Sequence, residues 1–495
     1  MSAWFGLAAS PEAFPPAMMA ALSLALLAPP LLGVVAMRFP PRHPAPVVAV
    51  ALPAITLWLL TAVAAHGGHH APVSLGALDL QLRLDALSAL LLLLTQLLML
   101  ASAAYAVGHR QAARIPRRAA AWLWPLLGGL TTSLALIWLA ADLLTLYAAL
   151  ELMGLCAVAM MLLPGQADAL AAGMRYLLFA LVGSLAWLLG VALLLGAWGR
   201  LDLAGLSATV EPGPVTWIAV ALLSAGLLLK AAIFPLHAWL APVHGSAWPP
   251  VSAIHGALVV KASFFILLQL WLLLIPGQVA GAWVLGGLGS AAVLWGGLLA
   301  WRARGLKQVV AFSTVGQLGY LLLAFPLLIG TSEAVAALAW QGTWLQLAGH
   351  ALAKAAMFMA AGNLLLATGH GGLAELAGTS RRLPLALMTF GIAAVTLMGL
   401  PPSAGFTAKW LLLQAALLAG QWPWVLVLAL GSLLTAAYVF RVFRYTFVEE
   451  APRHDFRQLP VGMDLIALLL ALTALGLGLA ADWPLAMLRP GGGEP

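Results

Sequence analysis

Residues 227–265 read LLLKAAIFPLHAWLAPVHGSAWPPVSAIHGALVVKASFF, which is two apolar runs joined by a segment rich in proline. Each run contains a lysine, Lys230 in the first and Lys261 in the second. Four prolines lie between the two lysines: Pro235, Pro242, Pro249 and Pro250. Proline removes a backbone donor, and a carbonyl freed at membrane depth is tolerated only inside protein or beside water. The stretch therefore predicts broken membrane helices that carry charge, an arrangement typical of an ion path.

The composition of the whole chain excludes a soluble globular protein. Of the 495 residues, 63% are hydrophobic and 8% are charged, whereas a soluble protein carries about 25% charged residues. A disordered chain is excluded for the same reason. The formal net charge is +7, but the cations are placed where membrane topology requires them, so we expect no nucleic-acid partner.

The apolar runs are long enough to cross a bilayer, which takes about 20 residues in a helix. We predict fourteen spans: 17–37, 46–66, 84–108, 119–141, 142–163, 170–198, 215–241, 249–275, 278–300, 306–329, 335–368, 384–419, 424–448 and 462–482. Only helices and closed barrels span lipid, and these runs are too long and continuous for strands. The predicted fold class is an all-α polytopic membrane protein.

The loop cations predict how the chain is oriented in the membrane. Sixteen lysines and arginines fall in or beside odd-numbered loops. Three fall on the other side, in even-numbered loops or the C-terminal tail: Arg83, Arg200 and Arg489. The positive-inside rule places the sixteen in the cytoplasm and both termini outside. The N-terminal segment has no charged n-region and no A-x-A site, so we expect no removable signal peptide. We expect an integral protein of the bacterial inner membrane.

Five ionisable residues fall inside the predicted spans: Glu151, Lys230, Lys261, Lys354 and Lys409. Each costs about 2.5–3.5 kcal/mol at a helix centre, which a purely structural role does not explain. Alternatively, some of these side chains lie near a helix end and reach the interface. A desolvated lysine releases its proton near neutral pH, an arginine stays charged, and a nearby carboxylate reverses the effect on lysine. The five residues therefore predict a proton relay.

Histidines accompany the intramembrane lysines. His350 and Lys354 are four residues apart, on one helical face. His255 shares a span with Lys261 but lies six residues away, on a different face. Two more histidines flank the first break: His237 and His244. Histidine suits proton transfer near neutral pH, although a histidine in a polar pocket is more often simply hydrogen-bonded.

The sequence predicts no bound metal or cofactor. The single cysteine, Cys156, cannot form an internal disulfide, a thiolate zinc site or an iron–sulfur cluster. A histidine cluster falls in a predicted external loop without a carboxylate or cysteine beside it: His66, His69 and His70. There is no phosphate loop or dinucleotide fingerprint, so the chain has no redox site of its own.

Five motifs, taken in this order, resemble the antiporter-like subunits of respiratory complex I, Mrp-type cation/proton antiporters and membrane-bound hydrogenases. They are DLLTLYAALELMG (142–154), KAAIFPLHAWLAPVHGSAWPPVSA (230–253), LKQVVAFSTVGQLGY (306–320), HALAKAAMF (350–358) and GLPPSAGFTAKW (399–410). The resemblance covers about residues 80–480. It implies fourteen core helices with broken seventh and twelfth helices. It also implies four regions: N-terminal helices in 1–118, inverted five-helix repeats in 119–275 and 278–448, and a C-terminal helix in 449–495.

The resemblance also implies roles for the charged residues. Glu151 is similar to the glutamate of the fifth helix, paired with Lys230 of the seventh. Lys261, with His255 beside it, resembles the connecting lysine of the eighth helix.

In the second half, Lys354 with His350 resembles the central link, and Lys409 the terminal lysine of the twelfth helix. Lys307 resembles the lysine at the loop that enters the tenth helix, although a cytoplasmic anchor would look the same. His237 is a supporting candidate. One departure is Ala241–Pro242, where relatives carry proline and aspartate.

The leading hypothesis is a proton-translocating subunit of a multi-subunit complex, a complex I-like NADH-quinone oxidoreductase or a relative. The expected partners are other membrane subunits, the lipid bilayer and protons. One alternative is an Mrp-type sodium/proton antiporter subunit, although a sodium site needs oxygen ligands and only one mid-membrane carboxylate is evident. Another is a haem- or quinone-binding redox subunit, but His255 and His350 are the only clearly embedded histidines. A passive scaffold is disfavoured by the intramembrane lysines.

Overall fold

The structure, a computed structural model, describes residues 16–38, 73–75, 78–80, 82–83, 85–448 and 456–488. Within these residues the chain is nearly all helical. The exception is a short antiparallel ribbon of β1 (Val73–Leu75) and β2 (Leu78–Leu80). The predicted span 46–66, the HGGHH segment and both chain ends lie outside the described residues.

The helices before the middle of the chain are α1 (Pro16–Ala36), α2 (Ala86–Ala112), α3 (Arg117–Leu139), α4 (Leu143–Leu162), α5 (Ala167–Trp198), α6 (Leu203–Thr209), α7 (Pro214–Lys230), α8 (Leu240–Ser246) and α9 (Pro249–Leu274). Those after it are α10 (Val279–Arg302), α11 (Leu306–Leu328), α12 (Glu333–Thr368), α13 (Thr379–Arg382), α14 (Pro384–Met398), α15 (Ala404–Leu418), α16 (Trp422–Thr446), α17 (Val461–Leu479) and α18 (Asp482–Met487).

In the described part of the chain, ten helices are long and apolar enough to cross a membrane: α2, α3, α4, α5, α9, α10, α11, α12, α16 and α17. Four shorter apolar helices accompany them: Ser23–Ala36 within α1, α7, α14 and α15. The prediction of a polytopic all-helical fold is confirmed. The count of fourteen spans stays a prediction, because one predicted span lies outside the described residues.

Two of the predicted spans contain a break. In the span 215–241, α7 ends at Lys230 and α8 begins at Leu240, beyond a non-helical stretch. In the span 384–419, α14 ends at Met398 and α15 begins at Ala404. Neither of these spans is therefore one continuous helix.

The second break follows from its prolines. In a continuous helix, the carbonyls of Leu397 and Met398 would accept hydrogen bonds from residues four positions later. Those residues are Pro401 and Pro402, which have no N–H. Gly399, with φ +77°, takes the left-handed conformation that ends α14. Two carbonyls are therefore left without a helical donor at this depth.

Glycines let two helix pairs approach until their backbones touch. On α5 and α7, a Cβ added to Gly226 would lie 2.5 Å from the carbonyl oxygen of Gly183. On α10 and α11, a Cβ added to Gly296 would lie 2.5 Å from the amide nitrogen of Gly316. Small residues at helix contacts are the usual way to gain close packing in a membrane.

Candidate functional site

The break after α7 places an ion pair between α7 and α4. The Nζ of Lys230, the last residue of α7, lies 3.0 Å from Oε1 of Glu151, in the middle of α4. The hydroxyl of Ser184 on α5 has two acceptors in reach for its one proton, the same oxygen of Glu151 and the carbonyl of Ala180. Lys230 is buried, whereas the side chain of Glu151 is 27% exposed. The carboxylate therefore borders the surface and the ammonium faces the interior.

Aromatic side chains connect this ion pair to α9. Trp239 donates from Nε1 to the carbonyl of Leu229, next to Lys230, at 3.0 Å. Its ring stacks on Tyr176 of α5, with 4.2 Å between the ring centroids. The Tyr176 hydroxyl lies 3.1 Å from Nε2 of His255. Packed side chains thus extend from the Lys230 end of α7 to the centre of the molecule.

Lys261 lies in α9, which contains a π-helical turn over His255–Val259. Such turns widen a helix and are frequent at functional sites. Lys261 is fully buried and donates to the carbonyl of Gly256, inside that turn. The sequence spacing predicts different faces for His255 and Lys261, and the structure places them close enough for their charges to interact.

His244 lies at the centre of the molecule, which the sequence analysis did not predict. Its ring is fully buried, stacked on Phe358 of α12 with 4.6 Å between centroids and packed edge-on against His255 at 5.1 Å. Among the described residues, neither of its ring nitrogens has a hydrogen-bond partner. The charges of Lys307, Lys354 and Lys261 all act on this ring.

The expectation that His255 and His350 are the only embedded histidines is therefore wrong, since His244 and His109 are buried as well. The sequence signal for His244 is its position just after the first break, in the short helix α8. The segment after this break returns to the interior and carries its polar residues to the centre. A histidine that flanks a break can therefore be buried.

Lys307 begins α11 and reaches back to the first half of the chain. It is 7% exposed and donates to the carbonyl of Ala247. Ala247 lies between α8 and α9, so its carbonyl is not used within either helix. The structure thus places Lys307 inside the protein rather than at a solvated loop.

Lys354 is the fully buried lysine of the second half, on α12. Its Nζ donates to the carbonyl of Val310, at 2.8 Å, and to the hydroxyl of Ser313, both on α11. His350 lies one turn before it, fully buried, within range of the charges of Lys261 and Lys409.

Lys409, on α15, lies against the break between α14 and α15. Its Nζ donates to the carbonyls of Leu397 and Met398, at 2.9 and 3.3 Å, and to the hydroxyl of Ser432, at 3.1 Å. The two carbonyls are those that the prolines deprive of helical donors. The ammonium also lies 4.4 Å from the centroid of the Tyr320 ring.

His237 lies within the first break, half-buried, where its ring stacks on Phe234 with 5.8 Å between centroids. The candidate lysines, His255 and His350 are buried, whereas His237 and Glu151 are partly exposed. Within the described residues, no group of three or more His, Cys, Asp or Glu side chains is placed to hold a metal ion.

Comparison with known proteins connects this arrangement to a family. Residues 140–435 match the family described as NADH:quinone oxidoreductase/Mrp antiporter, TM. The N subunit of NADH-quinone oxidoreductase from Desulforudis audaxviator (strain MP104C) is 35% identical over 324 residues, which are 64% of this chain and 63% of the relative. A subunit of the Na(+)/H(+) antiporter from Bacillus subtilis (strain 168) is 27% identical over 357 residues, 70% of each chain.

A solved structure is similar over a longer range. A chain in the Mrp complex from Dietzia sp. DQ12-45-1b is 25% identical, with a TM-score of 0.84 over 96% of both chains. The chain thus matches nearly the whole fold of this neighbour. It aligns with just under two thirds of the length of the Desulforudis relative.

Proposed function

Because the chain belongs to the NADH:quinone oxidoreductase/Mrp antiporter family of transmembrane proteins, we propose that it is a proton-translocating, antiporter-like subunit of a multi-subunit membrane complex. The observation that carries the proposal is the ion pair of Lys230 and Glu151, 3.0 Å apart inside a helical bundle. Three further lysines lie in the interior and donate hydrogen bonds to backbone carbonyls: Lys261, Lys354 and Lys409.

In this proposal, protons enter at the Glu151–Lys230 pair, cross the centre between Lys261 and Lys354, and leave at Lys409. The partners of these ammonium groups support it. A carbonyl oxygen accepts a hydrogen bond from an ammonium but does not neutralise its charge, so the charge stays costly in the interior. The carboxylate of Glu151 can neutralise the ammonium of Lys230. Moving Glu151 toward or away from Lys230 therefore loads or unloads a proton.

The placement of the subunit is part of the proposal. The loop cations favour the bacterial inner membrane with both termini outside. The two breaks, one in 119–275 and one in 278–448, support inverted repeats that would share one mechanism. Carrying one proton across a membrane potential of 100 mV changes its free energy by about 2.3 kcal/mol.

The test uses membrane vesicles that contain the intact complex. Lys230→Ala or Glu151→Ala should abolish proton pumping while the complex still assembles, as judged by native electrophoresis. Glu333→Gln is the matched control, because it removes an exposed carboxylate in the first turn of α12. Unchanged pumping in the assembled Lys230→Ala and Glu151→Ala complexes would contradict the proposal.

A second candidate is a subunit of an Mrp-type sodium/proton antiporter, favoured by the match to the Bacillus relative over 70% of each chain. The two functions differ in the ion required. Proton movement that persists in sodium-free vesicles supports the first, and movement that stops without sodium supports the second.

A haem-binding function gains no support from the structure. The rings of His244 and His255 pack directly against each other, 5.1 Å apart, and Phe358 covers the other face of His244. A porphyrin held by two imidazoles would have to lie between the rings.

A further inference from the structure

Each of the two lysines Lys354 and Lys409 is hydrogen-bonded to a hydroxyl group that lies in the interval between them. Ser313 of α11 accepts a hydrogen bond from Lys354, and Ser432 of α16 accepts one from Lys409 at 3.1 Å. The two lysines lie on α12 and α15, so the interval crosses the contact between α11 and α16. What fills that contact decides whether a proton can pass between the two lysines.

Both helices present a polar stripe to the contact. On α11 the stripe is Ser313, Gln317 and Tyr320, and on α16 it is Ser432, Thr435 and Tyr438. Spacings of three and four residues place each set on one helical face. The stripes meet where Nε2 of Gln317 lies 3.5 Å from Oγ1 of Thr435. Burying polar side chains in such apolar helices costs free energy unless they are hydrogen-bonded.

The Tyr438 hydroxyl lies on the Lys354 side of the contact. Its neighbours there are the side chains of Ser313, Gln317 and Thr435. The residue is 3% exposed, yet within the described chain its hydroxyl has no partner with hydrogen-bond geometry. A buried hydroxyl without a fixed partner is free to turn between neighbours.

The Tyr320 hydroxyl lies on the Lys409 side. Its neighbours are Ser432 and Thr435, its ring lies under the Lys409 ammonium, and the residue is 1% exposed. This hydroxyl also has no partner of hydrogen-bond geometry among the residues described. Gly431 leaves the space for it, since a Cβ there would collide with the hydroxyl.

We propose that the hydroxyls of Tyr438 and Tyr320 carry protons between Lys354 and Lys409. The proposal rests on the proposed function and assigns two further residues to it. Each hydroxyl can accept one hydrogen bond while it donates another. The order is Ser313, Tyr438, Thr435, Tyr320 and Ser432.

The transfer balances at every step. The hydroxyls of Ser313 and Thr435 donate to the carbonyls of Val310 and Gly431, and they first turn toward the tyrosines. The ammonium of Lys354 then gives a proton to the oxygen of Ser313 as that hydroxyl passes its own proton on to Tyr438. Each following hydroxyl does the same, and the last proton forms a bond to the neutral amine of Lys409. Every hydroxyl ends neutral, Lys354 has lost one proton and Lys409 has gained one.

The test compares Tyr438→Phe and Tyr320→Phe with Tyr105→Phe in vesicles that carry the intact complex. Tyr105 is the matched control, because it is buried on α2 and its hydroxyl bonds to Asn363 and Met359. We expect the first two variants to slow proton transport by about 100-fold or more, as loss of a proton-transfer group does. The Tyr105 variant should stay within about twofold.

Stability separates a relay from a structural role. Tyr438→Phe and Tyr320→Phe remove hydroxyls without fixed partners, so their thermal midpoints should match the parent complex, whereas Tyr105→Phe should lower it. If Tyr438→Phe fails to assemble, Tyr438→3-fluorotyrosine keeps the ring and makes the phenol more acidic. The pH profile of transport should then shift, and an unchanged profile overturns the proposal.

The outcomes distinguish this inference from the function on which it rests. Normal transport in both tyrosine variants, together with loss of transport in Lys230→Ala, overturns the tyrosine relay and leaves the function standing. Normal transport in Lys230→Ala overturns the function itself.

Discussion

Gln317 and Lys409 donate hydrogen bonds to the same backbone oxygen, the carbonyl of Leu397, at 3.0 and 2.9 Å. An unsatisfied carbonyl in the interior costs about 1–3 kcal/mol. Because the amide of Gln317 remains bonded whatever the charge of Lys409, that carbonyl keeps a partner when the lysine gives up its proton. The shared oxygen therefore reduces the cost of deprotonating Lys409.

Replacing Gln317 should destabilise the protein. Gln317→Leu leaves the Gln346 amide without the acceptor that lies 3.0 Å away, and leaves Leu397 dependent on Lys409 alone. We expect a loss of about 1–3 kcal/mol of unfolding free energy, seen as a lower thermal midpoint of the purified protein. Gln308→Leu, at an exposed position on the same helix, is the control and should change little. Equal midpoints for the two variants would contradict this account.

The contact between α5 and α7 should be needed for the ion pair. A Cβ at Gly183 would lie 3.0 Å from the carbonyl oxygen of Gly226 and 3.3 Å from Cγ of Lys230. Gly183→Val should push the helices apart, cost about 1–3 kcal/mol and reduce proton transport in vesicles. Gly196→Val is the control on the same helix, because a Cβ there meets nothing within 4 Å. If both variants transported alike, the helix spacing would not govern the pair.

His244→Phe tests the histidine at the centre of the molecule. The phenyl ring keeps the stack on Phe358, and the imidazole nitrogens it replaces make no hydrogen bond within the described chain, so stability should fall by about 1.5 kcal/mol or less. Transport should fall much more, because the change removes an ionisable ring that lies among Lys261, Lys307 and Lys354. Thermal unfolding and vesicle transport measure the two effects, and full transport would assign the ring to packing alone.

Cysteine labelling tests the orientation. Cys156 is buried and is the single cysteine of the chain, so Cys156→Ser gives a background without thiols. Gln166→Cys and Gly277→Cys place exposed thiols in loops that the predicted topology puts on opposite sides of the membrane. In intact cells, an impermeant maleimide should label the second and not the first, and both should react after detergent. The reverse pattern would mean that the termini lie in the cytoplasm.

Sequence reasoning found the charged residues because charge in an apolar run is conspicuous. Lys230, Lys261, Lys354 and Lys409 needed no knowledge of packing, and the prolines indicated the breaks. The pairing of Lys409 with Leu397 could not be predicted in the same way. It depends on how α15 returns against the end of α14.

The tyrosines were missed for a different reason. Tyr320 and Tyr438 lie in strongly apolar helices, where an isolated tyrosine is typical of a packed core. Their role becomes visible only when the stripes on α11 and α16 face each other. His244 was underrated because a histidine beside a break gives no sign of which side of the chain it faces.

The glycine contact between α10 and α11 determines which part of the second half can move. The backbones that touch at Gly296 and Gly316 cannot come closer. Sliding one helix along the other would bring its carbonyls into contact with the neighbouring helix. The two helices therefore behave as a rigid pair, and Gln317 lies on one of them. A change in the contacts of Lys409 then requires α14, α15 or α16 to move against this pair, because the acceptors of its ammonium lie on α14 and α16.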